Sequence, residues 1–139
     1  MSTKTVGFLR PSTKARYGLR LVLALAQSQG KTLPLSKLSK YLGVSKKYLE
    51  KIARILKEQG IIEATRGING GYRLIPKPSH INLLNLLSIL ESRSVLDQCF
   101  VQECPKIDRC RAGDFWRKLE NDIARFLDKT TIADIIKEV

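Results

Sequence analysis

Cys99, Cys104 and Cys110 are the chain's three cysteines, gathered in the stretch CFVQECPKIDRC. Thiolates are soft metal ligands, and they are also the groups that oxidants attack. The spacing C-x4-C-x5-C lacks the paired C-x2-C of a structural zinc ribbon. It suits an irregular loop of the kind that holds an iron–sulfur cluster. An odd number of cysteines in a reducing compartment does not describe a disulfide framework. Three readings stand: a bound iron–sulfur cluster, sensing by thiol oxidation, and a zinc or purely structural role. Asp108 and Asp114 are nearby oxygen ligands, and the single histidine, His80, lies in the linker PKPSHIN and reads as a solvated loop residue. No acid–base pair or nucleophile constellation accompanies the thiols, so an enzyme is not expected.

The second chemistry-bearing set is cationic. The net charge of +12 is unevenly shared: residues 1–80 hold sixteen Lys or Arg against three Glu, a balance of +13, while residues 81–139 hold nine basic and ten acidic residues, a balance of −1. A localised excess of this size suits a polyanion, because each phosphate neutralised by Lys or Arg releases condensed counterions.

The 139 residues, 43% of them hydrophobic, suffice for one ordinary core. No window approaches the roughly 20 apolar residues of a membrane span, and the first residues, MSTKTVGFLRPSTKARYGLR, lack the pattern of a secretory signal. A cytoplasmic location without membrane contact is the expectation. Two regions are expected within one compact chain: a DNA-binding region over 1–80, and the cysteine loop with dimerisation helices over 81–139.

These groups need elements to position them. KARYGLRLVLALAQSQG reads as a helix apolar on nearly all sides, stopped at Gly30. In LPLSKLSKYLGV, Leu35, Leu38 and Leu42 share one helical face, and Gly43 breaks the helix. Ser45 caps the next helix, in which Leu49, Ile52, Ile55 and Leu56 face inward. Its outward residues are Lys46, Lys47, Glu50, Lys51, Arg54 and Lys57. Two helices joined by a tight glycine turn, the second basic on its free face, make a helix-turn-helix. The first turn of the second helix fits a major groove about 12 Å wide, so Ser45, Lys46, Lys47, Tyr48, Glu50 and Lys51 are the candidate DNA contacts. Lysine donates to guanine acceptors, and a glutamate accepts from cytosine while repelling misplaced phosphate. For Glu50 an i, i+4 pair with Arg54 is the competing role. For Tyr48 the competing role is core packing.

Ile61 to Thr65 and Tyr72 to Ile75 then read as two short strands joined by RGINGG, a turn tolerant of positive φ. A basic glycine-rich hairpin directly after a recognition helix is a wing. Arg66 is placed to enter a narrow minor groove, with Asn69 beside it at the tip. GINGG is not a nucleotide-binding loop, because no Lys-Ser/Thr follows and no helix starts at its glycines.

With KARYGLR, LSKYLGVSKKYLEKIARILKEQGIIEATRGINGGYRL, the cysteine cluster and LDKTTIADI on view, the chain resembles the IscR/NsrR-like (Rrf-two) family of bacterial winged helix-turn-helix transcription regulators. The likeness runs from about Lys14 nearly to the end, and RGINGGYRL with the cysteines is its most specific part. It implies a homodimeric transcription factor in which Cys99, Cys104 and Cys110 ligate an iron–sulfur cluster, 2Fe-2S in preference to 4Fe-4S. It also implies that Glu50 and its neighbours read bases and that Arg66 works in the minor groove. The chain departs from the pattern at the fourth ligand. Where IscR-like members carry a histidine it has Gly113, and where NsrR-like members lend an aspartate from the other subunit it has Arg16.

In the C-terminal half, INLLNLLSILES has Asn82 as a helix cap and should pack on the DNA-binding body. GDFWRKLENDIARFLDK lays Phe115, Trp116, Leu119, Ile123, Phe126 and Leu127 along one broad stripe. The same helix of a second subunit is the economical cover for such a stripe. TTIADIIKEV would form a last short helix capped by Thr131. The expected fold is mainly α with a small β-hairpin: a winged helix-turn-helix plus a long C-terminal dimerisation helix. The expected function is a homodimeric regulator on a pseudo-palindromic double-stranded DNA operator. It senses iron–sulfur status, redox state or nitric oxide through the cysteines, or, alternatively, acts as a winged-helix repressor answering thiol oxidation or a metabolite without a cluster.

Overall fold

The computed structural model describes residues 10–91 and 110–137; Cys99, Cys104 and Asp108 lie outside the described residues. The first helix, α1 (Thr13–Gln27), begins where Ser12 Oγ accepts the Ala15 N–H at 3.0 Å. Ser12 donates its own N–H to Glu91 Oε1 at 2.7 Å, joining the start of α1 to the end of the fourth helix. Leu21, Val22 and Leu25 are wholly buried, as the apolar run requires. The helix stops at Gln27, ahead of Gly30. Ser28 ends it by giving both its N–H and its hydroxyl to Leu25 O, and Gln29 turns left-handed at φ 53°.

Helix α2 (Leu35–Leu42) buries Leu38 and Leu42. Gly43 follows at φ 71°, a conformation glycine enters without a Cβ penalty. Helix α3 (Lys46–Glu58) starts where Ser45 Oγ accepts the Tyr48 N–H at 3.1 Å, and it buries Leu49, Ile52, Ala53 and Leu56. Strands β1 (Ile62–Thr65) and β2 (Gly71–Leu74) pair antiparallel, with Ile62 opposite Leu74 and Thr65 opposite Gly71. Leu33 adds a third, one-residue rung: its N–H and C=O both bond to Tyr72, each at 2.9 Å. That rung ties the wing to the entry of α2.

A short 3-10 turn (Pro78–His80) leads to α4 (Leu83–Leu90), capped by Asn82 Oδ1 on the Asn85 N–H at 2.8 Å. Leu83, Leu86 and Leu90 enter the same core as α1 and α3. Gly18 makes room for Leu90, because a Cβ there would lie 2.6 Å from Leu90 Cδ1. Helix α5 (Arg111–Lys129) is the long one, and α6 (Ile132–Lys137) closes the chain. Leu83 donates to Thr130 O at 2.9 Å and Ile132 to Ile81 O at 3.0 Å, while Asn82 Nδ2 donates to Asp128 at 2.9 Å. The C-terminal end of α5 is thus fastened to the start of α4.

Thr131 and Asp134 cap α6 reciprocally: the Thr131 N–H donates to Asp134 Oδ2 at 2.9 Å and the Asp134 N–H to Thr131 Oγ1 at 3.2 Å. The backbone N–H of Thr131, first, and its hydroxyl, second, hold the Asp134 carboxyl below the ordinary aspartate range. A carboxyl lowered on folding stabilises above its unfolded pKa, and that contribution disappears as pH falls through the folded one. Asp134→Asn should therefore lower the melting temperature at neutral pH. In melts recorded near pH 2 the variant and the parent should nearly coincide.

Candidate nucleic-acid interface

Helix α3 turns Leu49, Ile52, Ala53 and Leu56 into the core and leaves the opposite face to solvent, and Lys46, Lys47, Glu50, Lys51, Arg54 and Lys57 all lie on that face. The six outward residues expected from periodicity are all exposed, together with Glu58 at the helix end. The Ser45 cap fixes the direction of the first turn, and Gly43 sets the angle at which α3 leaves α2.

The wing and the start of α3 face one opening. An open groove of about 420 Å³ is lined by Pro34, Ser36, Lys46, Thr65, Gly67 and Ile68 among others. Arg66, Gly67, Ile68 and Asn69 are exposed at the tip, and the Ile68 side chain has no cover at all. The tip is narrow because Gly70 donates its N–H back to Gly67 O at 3.0 Å. Strand β2 approaches Leu33 so closely at Gly71 that a Cβ there would sit 2.0 Å from Leu33 O.

Burial, first, and the Glu50 carboxylate, second, push the Tyr72 hydroxyl above the ordinary tyrosine pKa. Among the described residues the ion pairs are Arg73–Glu63, Arg117–Asp114 and Arg125–Asp122, and none joins Glu50 to Arg54. Tyr48 is half-buried, and its ring meets that of Tyr17 edge to face, 6.1 Å between centroids. It divides itself between core packing and the outer face. Tyr17 is legible in the sequence only as part of a buried helix, and this contact is long-range, between residues 31 positions apart.

Of the three cysteines, Cys110 is described. It caps α5, its Sγ accepting the Gly113 N–H at 3.4 Å, and it is a half-buried free thiol. Asp114 is paired with Arg117, and His80 is exposed in the 3-10 turn. Among the described residues no three of His, Cys, Asp and Glu converge as a metal site. No described helix is long and apolar enough to cross a membrane.

The family model described as Rrf2, Iron-dependent Transcriptional regulator, matches residues 11–138. The chain belongs to the Rrf2 family. Protein rrf2 of Nitratidesulfovibrio vulgaris is 31% identical over 134 residues, spanning 94% of this chain and 89% of that protein. Among solved structures, T. potens IscR superposes with a TM-score of 0.75 at 30% identity, covering 94% of this chain and 88% of its own. Staphylococcus aureus CymR in its oxidized form superposes with a TM-score of 0.72 at 29% identity, covering 91% and 95%. This Rrf2-family protein is a winged-helix, DNA-binding transcription regulator, and its relatives are regulators and not enzymes. The mainly helical fold with one antiparallel hairpin agrees with the expectation from sequence.

Proposed function

We propose that this Rrf2-family regulator works in the cytoplasm as a homodimer. The first turn of α3, through Ser45, Lys46, Lys47, Tyr48, Glu50 and Lys51, reads bases in a major groove. Arg66 and Asn69 follow the adjacent minor groove. Two such units read the halves of a pseudo-palindromic operator, about one helical turn or a multiple of it apart. The observation that carries this reading is the shared opening: Lys46 of α3 and Thr65, Gly67 and Ile68 of the wing line one groove, on the half of the chain that holds the positive charge. Dimerisation is supported by α5, whose Phe115 and Phe126 remain 57% and 68% exposed. Leu127, at the far end of the same stripe, packs on the chain's own core, so the phenylalanines are the part of the stripe left for a second subunit.

Cys99, Cys104 and Cys110 would hold an iron–sulfur cluster in this reading, 2Fe-2S ahead of 4Fe-4S. Cys110 fits the role, since its sulfur already receives a backbone N–H and such bonds tune thiolate-held clusters. A cluster supplies a centre that exchanges electrons and ligands readily. Cys110 would pass a change there to α5 as its cap. A coupling of about 1–3 kcal/mol between the two sites changes DNA occupancy severalfold or more. The family description as iron-dependent and the likeness to T. potens IscR favour this version. The likeness to S. aureus CymR in its oxidized form favours a second one, in which the thiols themselves are oxidised and no cluster is present.

Iron and acid-labile sulfide counted per chain, on protein purified without air, decide between the two. The first version expects a coloured protein, a colourless Cys104→Ala variant, and DNA affinities that differ between cluster-loaded and stripped protein. Protein without iron or sulfide, whose band shifts respond to thiol oxidation alone, would establish the second. On the DNA side, Glu50→Ala should relax base preference by about 1–3 kcal/mol at one position of the half-site. Arg66→Ala should weaken chiefly sites with a narrow minor groove. Uniform losses across all sequences for both variants would contradict these roles.

A further inference from the structure

Arg16 and Arg20 are exposed, one helical turn apart on α1. Their guanidinium carbons lie 5.9 Å and 5.6 Å from the centroid of the same ring, Tyr17. That ring in turn touches Tyr48, the third residue of α3, whose N–H is held by the Ser45 cap. Both cations therefore stand one aromatic pair away from the turn that carries Lys46 and Lys47.

Among the described residues nothing neutralises them. Helix α1 contains no acidic residue, and no ion pair between described residues includes Arg16 or Arg20. Glu91, bonded to the Ser12 N–H at the start of the helix, pairs with neither. Like charges at i, i+4 repel, so the arrangement costs the free protein some stability, which a bound anion would return. Stacking on a tyrosine holds a guanidinium in place while its forked N–H donors stay free, and that fork matches phosphate oxygens.

We propose that Arg16 and Arg20, gathered on Tyr17, form a further DNA-backbone site on α1. It takes phosphate oxygens beside the groove entered by α3. The proposal rests on the assignment of α3 and the wing as the DNA-reading surface and extends that surface across α1. The site carries no sequence information. It adds affinity alone.

The test is fluorescence anisotropy over a potassium chloride series, with a duplex enriched from a random pool by the wild-type protein and a shuffled duplex of the same composition. Arg16→Gln and Arg20→Gln, at exposed helix positions where glutamine is a good former, should each make the plot of log affinity against log salt shallower by about 0.9 for each phosphate that is no longer neutralised. The affinity should fall by the same factor on both duplexes. Arg16→Lys and Arg20→Lys, which keep the charge, should retain the slope, and helicity should be unchanged in all four. Glutamine variants that keep the wild-type slope, while the wild type binds with steep salt dependence, overturn this site and leave the α3 and wing reading intact. A wild type with no salt-dependent binding to either duplex overturns both.

Discussion

Gly71→Ala is expected to detach the wing from the body. The new Cβ would lie 2.0 Å from Leu33 O and 2.8 Å from Pro34 Cα, and both are backbone atoms that no rotamer change can move aside. Gly71 also sits at φ 150°, where an alanine is strained by about 1–3 kcal/mol. Relief requires breaking the two Leu33–Tyr72 hydrogen bonds, worth about 1 kcal/mol each. The total of about 3–5 kcal/mol corresponds to a fall of about 10 °C or more in melting temperature for a chain of this size. DNA affinity should drop by a larger factor than stability alone accounts for, because the wing tip loses its fixed place across the groove from Lys46. Gly67→Ala is the control. Its φ is 110° but nothing lies within 4 Å of the added atom. It should cost only the backbone strain and keep the Leu33 rung. Thermal melts and anisotropy titrations on the two variants separate the contributions, and equal losses in both would show that the close approach to Leu33 does not matter.

Local features are the ones legible in the sequence. Ser45, Asn82 and Thr131 each cap the helix they precede, because a side-chain oxygen three residues before a free N–H is a local arrangement. The inward leucines of α2 and α3 and the exposed lysines of α3 follow from a period of 3.6 residues. Associations between distant segments have no such signal. Leu33 as a rung on Tyr72, Glu91 on the Ser12 N–H and Tyr17 against Tyr48 join residues far apart in the chain, and no spacing announces them. The end of α1 falls short of the expected stop for its own reason. Gly30 is a strong stop, but Ser28 reaches Leu25 O first with both of its donors. At the candidate interface the residue types and exposure of the α3 face follow from the sequence, whereas the common groove with the wing depends on the register of β2 against Leu33.

The second large effect concerns how the long helix is attached. Ile132 is wholly buried although it belongs to the short α6, and its N–H is bonded to Ile81 O at 3.0 Å. Most of α5 is exposed or half-exposed, and Gly113 is its one buried residue among those described. The position of α5 relative to α3 therefore depends on its C-terminal end, where Asn82, Asp128, Thr130 and Ile132 meet. Ile132→Ala removes three carbons from that anchor and should destabilise by about 2–5 kcal/mol, a large share of the roughly 5–15 kcal/mol typical of a folded domain. Since the helix-turn-helix core keeps its own leucines, the melt should become broader or biphasic, with α5 and α6 leaving first. Hydrogen exchange should then show protection lost in α5 while Leu49 and Ile52 of α3 stay protected. A single sharp transition with uniform loss of protection would mean that α5 and the winged helix unfold as one unit. A signal arriving at Cys110 would then have no independent lever to move.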